Sequence, residues 1–280
     1  MNDIINRWKY SKKSAMGHKL KYEMGNPGDI IKHGLLAEFV AWWGDTYGNR
    51  ILRMADPFGG CPWGALEEPA KNRLGILSGT VLAEAQINGG KGGKYLGSSH
   101  LVQQVAKDRC VEICIQVSDK NEDARRDLKH SGLAMIEPRL PEDDGYRIFD
   151  AEYSQKFDFI LLDPYGKFLL EECKNNNKRF EHIRNEVNKS PDLFIAVFVL
   201  DMNTNNTVGR NFAKYKEANL SGWAFSIRCP KMENSRYDWE IMLISRQIKE
   251  YKCKHLSERL QRFVVQANPA LNASLELWGV

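Results

Sequence analysis

The stretch that most constrains the fold is Phe157-Asp158-Phe159-Ile160-Leu161-Leu162-Asp163-Pro164-Tyr165-Gly166, an apolar run that ends abruptly at an acid, a proline and an aromatic ring. Its apolar part has the length of a buried strand, and Pro164 with Gly166 forces the backbone out of a sheet where Asp163 and Tyr165 stand. An acceptor and a flat ring then sit at the carboxyl edge of a sheet, where open α/β sheets bind ligands. A plain strand closed by a Pro-Gly turn reads the decapeptide equally well when it is taken alone.

The rest of the chain repeats the pattern. Ile51 to Asp56 reads as a strand closed by Pro57-Phe58-Gly59-Gly60, and Val111 to Val117 as a second, followed by Ser118-Asp119. Ala134-Met135-Ile136 reads as a short third strand. Tyr146 to Asp150 reads as the end of another element, again carrying an acid to the same edge. Leu193 to Leu200 is a further buried strand, and the segments 223–228 and 239–245 form two strands joined by a long turn. Helical periodicity separates them: a helix from Gly28 to Trp43 with apolar residues on one face, a helical stretch around Leu74 to Gln86, and a helix opened by Gly97-Ser98-Ser99-His100 with a serine at its cap. A charged helix covers Glu122 to His130, another reaches about Asn188, and the glycine-rich run 89–94 reads as a mobile loop. Alternating β and α units followed by a hairpin predict an α/β protein with a mostly parallel, doubly wound sheet and an antiparallel edge.

Composition excludes several classes. At 280 residues, 42% hydrophobic and 27% charged, the chain has a globular make-up and enough length for a sizeable core. Its longest apolar stretch, Leu193 to Leu200, is far short of a membrane span, and the N-terminus lacks the apolar core of a signal peptide, so a cytoplasmic protein is expected. The net charge of +4 permits an anionic partner without requiring one. Arg7, Lys9, Lys12, Lys13, Lys19 and Lys21, with Trp8 and Tyr10 among them, form a basic arm suited to phosphates and bases or simply to solvent. The six cysteines contain no Cys-x-x-Cys pair. Cys110 and Cys114, on one face of a strand, would stand about 13 Å apart, so free thiols and no metal are expected.

Four acids at or just beyond the ends of successive elements, Asp56, Asp119, Asp150 and Asp163, form a constellation that a lone turn aspartate would not. In a nucleoside-binding α/β fold the first turn faces the middle of the ligand, an acid after the second strand accepts from ribose hydroxyls, and a later acid accepts from an adenine amino group. The first turn has neither Gly-x-Gly-x-x-Gly nor a P-loop lysine, which favours an adenosyl ligand over a dinucleotide or triphosphate and disfavours a nucleotide-dependent oxidoreductase.

Asp56-Pro57-Phe58-Gly59-Gly60, Asp119 and Leu161-Leu162-Asp163-Pro164-Tyr165-Gly166 resemble motifs of the class I S-adenosylmethionine-dependent methyltransferases. Gly25-Asn26-Pro27-Gly28-Asp29-Ile30-Ile31-Lys32-His33 is similar to the signature that opens the bacterial 23S ribosomal RNA adenine-N6 methyltransferase J family, whose Gly-Ser-Pro element is partly matched by Gly97-Ser98-Ser99. The related three-Cys-motif partner proteins share this layout. The resemblance covers residues 25 to about 166 and implies a Rossmann-like methyltransferase domain over 25–250, with a basic arm over 1–24 and a helical or irregular extension over 251–280. Its first helix, 25–45, would contribute to the donor site.

The resemblance also implies roles. Lys32, His33, Asp56, Gly59, Gly60, Ser98, Asp119 and Asp150 would hold S-adenosylmethionine. Asp163 with the Pro164 carbonyl would accept from the target amino group, and Tyr165 would stack on the target base. The implied activity is methylation of an exocyclic amino nitrogen of a nucleobase, adenine N6 first, with RNA ahead of DNA as the partner. Two departures qualify it. The motif has one proline where the amino-methyltransferases have Asp-Pro-Pro-Tyr, a form closer to guanine-N2 methyltransferases, and Phe58 stands where the ribosomal family has a histidine. A non-catalytic, methyltransferase-like partner or scaffold protein is the alternative.

Overall fold

The structure is a computed structural model that describes residues 24–133, 140–141, 145–150, 157–164, 178–202, 224–229, 237–250 and 252–278. Residues 1–23 of the basic arm, the expected strand at Ala134-Met135-Ile136, and Tyr165 with Gly166 lie outside the described residues.

The chain enters through α1 (Pro27–Tyr47) and then β1 (Leu52–Asp56). A short antiparallel ribbon of β2 (Trp63–Ala65) and β3 (Lys94–Leu96) brackets α2 (Glu68–Ile76) and α3 (Val81–Gly89). Then come α4 (Ser98–Asp108), β4 (Ile113–Val117), α5 (Glu122–Lys129), a 3-10 turn at Gly145–Phe149, and β5 (Phe159–Leu162). The described chain closes with α6 (Lys178–Lys189), β6 (Phe194–Met202), β7 (Ala224–Cys229), β8 (Tyr237–Ser245), α7 (Arg246–Lys249), α8 (Lys254–Leu271) and β9 (Ser274–Trp278).

Seven strands form one sheet in the order β4-β1-β5-β6-β8-β7-β9. The first four are parallel, and β8, β7 and β9 add on antiparallel to their neighbours, as the hairpin pattern predicts. The stretch beyond 251, expected as an extension, supplies α8 and the seventh strand. Because β1 pairs with β4 on one side and β5 on the other, the chain reverses its winding between β1 and β5, opening a crevice at their carboxyl ends.

Two local expectations are corrected. The helix over 28–43 is not a surface helix with one apolar face: every residue from Pro27 to Trp43 is buried, because α1 is enclosed by α3, α4, α8, β7 and β8. The helical stretch around 74–86 is two helices. Thr80 separates them, its hydroxyl donating to Leu77 O (2.8 Å) and accepting from Ala83 N (3.2 Å), which caps α3. The run 89–94 is the hydrogen-bonded approach to β3, with Lys94 N donating to Gly90 O and Leu66 N to Gly93 O.

Aromatic packing seats α1 on the sheet. The Phe39 ring lies 4.5 Å from Phe159 of β5 and 5.1 Å from Phe194 of β6, centroid to centroid, each contact contributing about 0.5–1.5 kcal/mol beyond burial. On its other side α1 meets α8 at Gly34, where a Cβ would stand 1.9 Å from Phe263 Cζ. Gly34→Ala is therefore expected to destabilise the fold by about 1–3 kcal/mol through overpacking, measured by denaturant unfolding; an unchanged midpoint would show that α8 is free to shift.

Candidate active site

The acids at the crevice follow directly from strand ends. Asp56 is the last residue of β1, Asp163 follows β5 immediately, and Asp119 lies two residues past β4. The register of β1 and β5 is held from the other end, where buried Asp158 accepts from Arg50 Nη2 (2.6 Å) and Arg53 N (2.9 Å). Asp158 is therefore a structural acid.

Lys32 reaches this edge from α1. Its buried ammonium donates to Asp163 Oδ2 (2.7 Å) and to Asp29 Oδ1 one helical turn back (3.1 Å), and lies 5.3 Å from the Phe198 ring centroid. Asp29 is itself held by Gly25 N and Asn26 Nδ2, both at 3.1 Å, while Asn26 caps α1 by accepting from Asp29 N. Burial alone would discharge Lys32, but Asp163 and Asp29 outweigh it and raise its pKa above the usual lysine range.

The next residue points elsewhere. His33 is buried, with Nδ1 2.9 Å from the Tyr95 hydroxyl and Nε2 3.2 Å from Ser98 Oγ. Burial, with Lys32 beside it, lowers its pKa well below the ordinary value, so the imidazole is neutral at pH 7. The expected serine cap is corrected: Gly97 is the N-cap of α4, and Ser98 is its first residue, with its hydroxyl turned to His33. At the second position of that helix, Ser99 Oγ is buried and has no hydrogen-bond partner among the described residues.

The first turn lies against the end of β4. Gly59 N donates to Ser118 O (2.8 Å), Gly60 N donates to Asp119 Oδ2 (3.0 Å), and the other Asp119 oxygen accepts from Asn121 N (2.8 Å). A Cβ on Gly59 would stand 2.1 Å from Val117 Cγ1, so only glycine permits this approach. Gly60 takes a positive φ of 58°, and beside its would-be Cβ the nearest atom is Phe58 O at 3.6 Å, which leaves that side of the turn open.

Asp56 is 1% exposed and, among the described residues, accepts one hydrogen bond, from Phe58 N at 3.2 Å. Burial first, and Asp163 second, push its pKa up to about 8; the Phe58 N–H and Lys32 act in the opposite direction. Its carboxyl is thus mainly protonated at neutral pH.

Asp150 does not join this cluster. It follows a 3-10 turn, not a strand, is exposed, and pairs with Arg147 Nε at 2.9 Å. The turn that carries it does pack on the first loop, since the rings of Tyr146 and Phe58 are 5.2 Å apart. Pro164 is buried beside Asp163, whose side chain is 22% exposed at the crevice. Sequence reading missed Tyr95 and gave Asp29 only a helix-start role. Tyr95 stands two residues before Gly97-Ser98, and that spacing was the available signal. Among the described residues no group of three or more His, Cys, Asp and Glu side chains is placed to hold a metal ion, and no helix is long and apolar enough to cross a membrane.

Fold and strand-end acids together define a Rossmann-like α/β protein with its crevice between β1 and β5. No protein-family model and no curated protein sequence matches the chain. Among solved structures it is similar to protein LPL1258 from Legionella pneumophila, with 15% identity, a TM-score of 0.62, and coverage of 91% of this chain and 98% of the other. It is also similar to a probable spermidine synthase from Corynebacterium glutamicum, with 12% identity, a TM-score of 0.50, and coverage of 91% and 78%. At these identities the likeness is one of fold.

The raised pKa of Asp56 carries a sign for stability. Folding favours its protonated form, so its contribution is complete below the ordinary carboxylate value of 3.8 and is lost as pH rises through about 8. The thermal midpoint of the native chain should therefore fall between pH 5 and pH 9 more steeply than that of Asp56→Asn, which is neutral throughout. Parallel curves would show that Asp56 is ionised in the fold.

Proposed function

We propose that this protein transfers a methyl group from S-adenosylmethionine to an exocyclic amino nitrogen of a nucleobase in RNA or DNA, adenine N6 first. The observation that carries the reading is Asp163 at the mouth of the β1/β5 crevice. One of its oxygens is fixed by Lys32 at 2.7 Å, and the other, Oδ1, accepts no hydrogen bond among the described residues.

The residues present fit the donor. Gly59 lets the first turn close against the end of β4 while Gly60 leaves one side of it open, and Asp56, Asp119 and Asp163 surround a crevice in which Lys32 is already engaged by two acids. Such a site suits a positively charged ligand. When bound, S-adenosylmethionine supplies a methyl group on a sulfonium, which makes it reactive without an acid or a metal. His33 with Ser98, Asp56 and Asp119 with the glycine turn would hold it.

The protein's work is then alignment and management of charge on the acceptor nitrogen. Asp163 Oδ1 and the Pro164 carbonyl would accept from the amino group as positive charge develops, and Lys32 would keep the Asp163 carboxylate oriented. Tyr165 would stack on the base, a contact of about 1–3 kcal/mol in nucleic-acid sites. A base within a duplex would have to be flipped out, with the basic arm supplying phosphate contacts. A cytoplasmic location accords with this role.

The same pair supports the second reading, a non-catalytic partner protein, because Lys32 already occupies one oxygen of the acid. Two measurements separate them. Calorimetric titration with S-adenosylmethionine is expected to show binding at one site; no heat of binding overturns the proposal. Incorporation of labelled methyl groups into RNA is expected to fall about 10²–10³-fold in Asp163→Ala with donor binding retained, the scale for losing one transition-state hydrogen-bond partner. Bound donor with no incorporation into RNA or DNA favours the partner protein. Mass spectrometry of the product nucleosides then distinguishes adenine N6 from guanine N2.

A further inference from the structure

Among the described residues, the crevice contains more acid than Lys32 balances. Lys32 sits between Asp29 and Asp163, so those three groups carry one net negative charge when both acids are ionised. Asp56, 1% exposed at the adjacent strand end, has no cation of its own among the described residues. Facing it are Asp163 from β5, Asp119 from beyond β4, and Lys32 from α1, whose charge is divided between its own two acids. Two like charges and a dry environment act against ionisation there, and the single Phe58 N–H does not compensate for them. A buried carboxyl in that position is a proton waiting for a cation to replace it.

We propose that Asp56 distinguishes the charged methyl donor from its demethylated product: it meets the sulfonium as a carboxylate, releasing one proton to solvent, and meets the neutral thioether as an uncharged acid. The inference rests on the donor assigned above. The exchange balances, since one positive charge enters the crevice with the ligand and one leaves as a proton passed to buffer, with no bond of the ligand altered. Its consequence is a donor-to-product preference that grows with pH. The methyl group and its charge leave the sulfur together, so the same residue would retake its proton after transfer and loosen the product.

The geometry makes the effect specific to Asp56. Lys32 holds its proton at all working pH values, and His33 stays neutral, so neither supplies a proton in this range. The amino-acid ends of donor and product are alike and cancel in the comparison.

Calorimetry in two buffers of different ionisation enthalpy, at about pH 6.5 where the amino groups of both ligands remain protonated, reads the proton directly. S-adenosylmethionine and sinefungin, which carries an ammonium in place of the sulfonium, are each expected to release close to one proton. S-adenosylhomocysteine is expected to release close to none. Between about pH 6 and pH 7.5 the affinity for the two cationic ligands should rise about tenfold per pH unit while that for S-adenosylhomocysteine stays level. In Asp56→Asn the proton release and the pH-dependent preference for the cationic ligands both disappear. Should that variant fail to fold, the two-buffer and pH series on the native chain decide the matter unaided. Equal proton release with charged and uncharged ligands overturns the inference. Absence of binding by all three ligands instead overturns the donor assignment on which it stands.

Discussion

The Lys32 ammonium between Asp29 and Asp163 is the constraint on which the site depends. It joins the first turn of α1 to the end of β5, two segments 131 residues apart in sequence, through contacts of 3.1 and 2.7 Å. A buried ion pair is weak evidence of net stabilisation, because removing charges from water costs several kcal/mol per ion. Its value here is positional. Once Lys32 is enclosed by Phe198 and the sheet, leaving either acid without the lysine would strand a charge, so the helix and the strand end are held in one register.

The same burial explains why neighbouring ionisable groups divide into opposite states. Lys32 has two acids and stays charged; His33, one residue on, faces Tyr95 and Ser98 and is neutral; Asp56 has acids for neighbours and is mainly protonated. Three groups near one crevice thus present a cation, an uncharged hydrogen-bonding ring and a neutral acid at the same pH. Environment, not residue type, sets each role.

Much of this was legible in the sequence for local reasons. Apolar runs ended by acids located β1, β4 and β5, and the hairpin pattern located β7 and β8, because strand burial and turn chemistry act over a few residues. Lys32, His33, Ser98 and Asp163 were singled out, but the pairing was not: a one-dimensional pattern cannot show that His33 Nδ1 meets Tyr95 62 positions away. The first helix misled for a related reason. Its apolar spacing is that of a helix against one partner, whereas α8 and α4 cover the remainder, and Asp29, Lys32 and His33 are buried because Asp29 and Lys32 pair with each other and His33 meets Tyr95 of β3 and Ser98 of α4. Asp150 was read at the end of an unspecified element, and the backbone there forms a 3-10 turn that brings it to Arg147.

That enclosure of α1 ties the crevice to the far end of the chain. Glu38, two turns beyond Lys32, is buried enough to raise its pKa, and the Arg259 guanidinium of α8 opposes that shift at 3.2 Å while also pairing with Asp45. Phe263 of the same helix occupies the space that Gly34 leaves open. The helix α8 therefore meets α1 at Gly34 and Glu38, in the two turns that follow Lys32, and β9 after it pairs with β7 in the sheet.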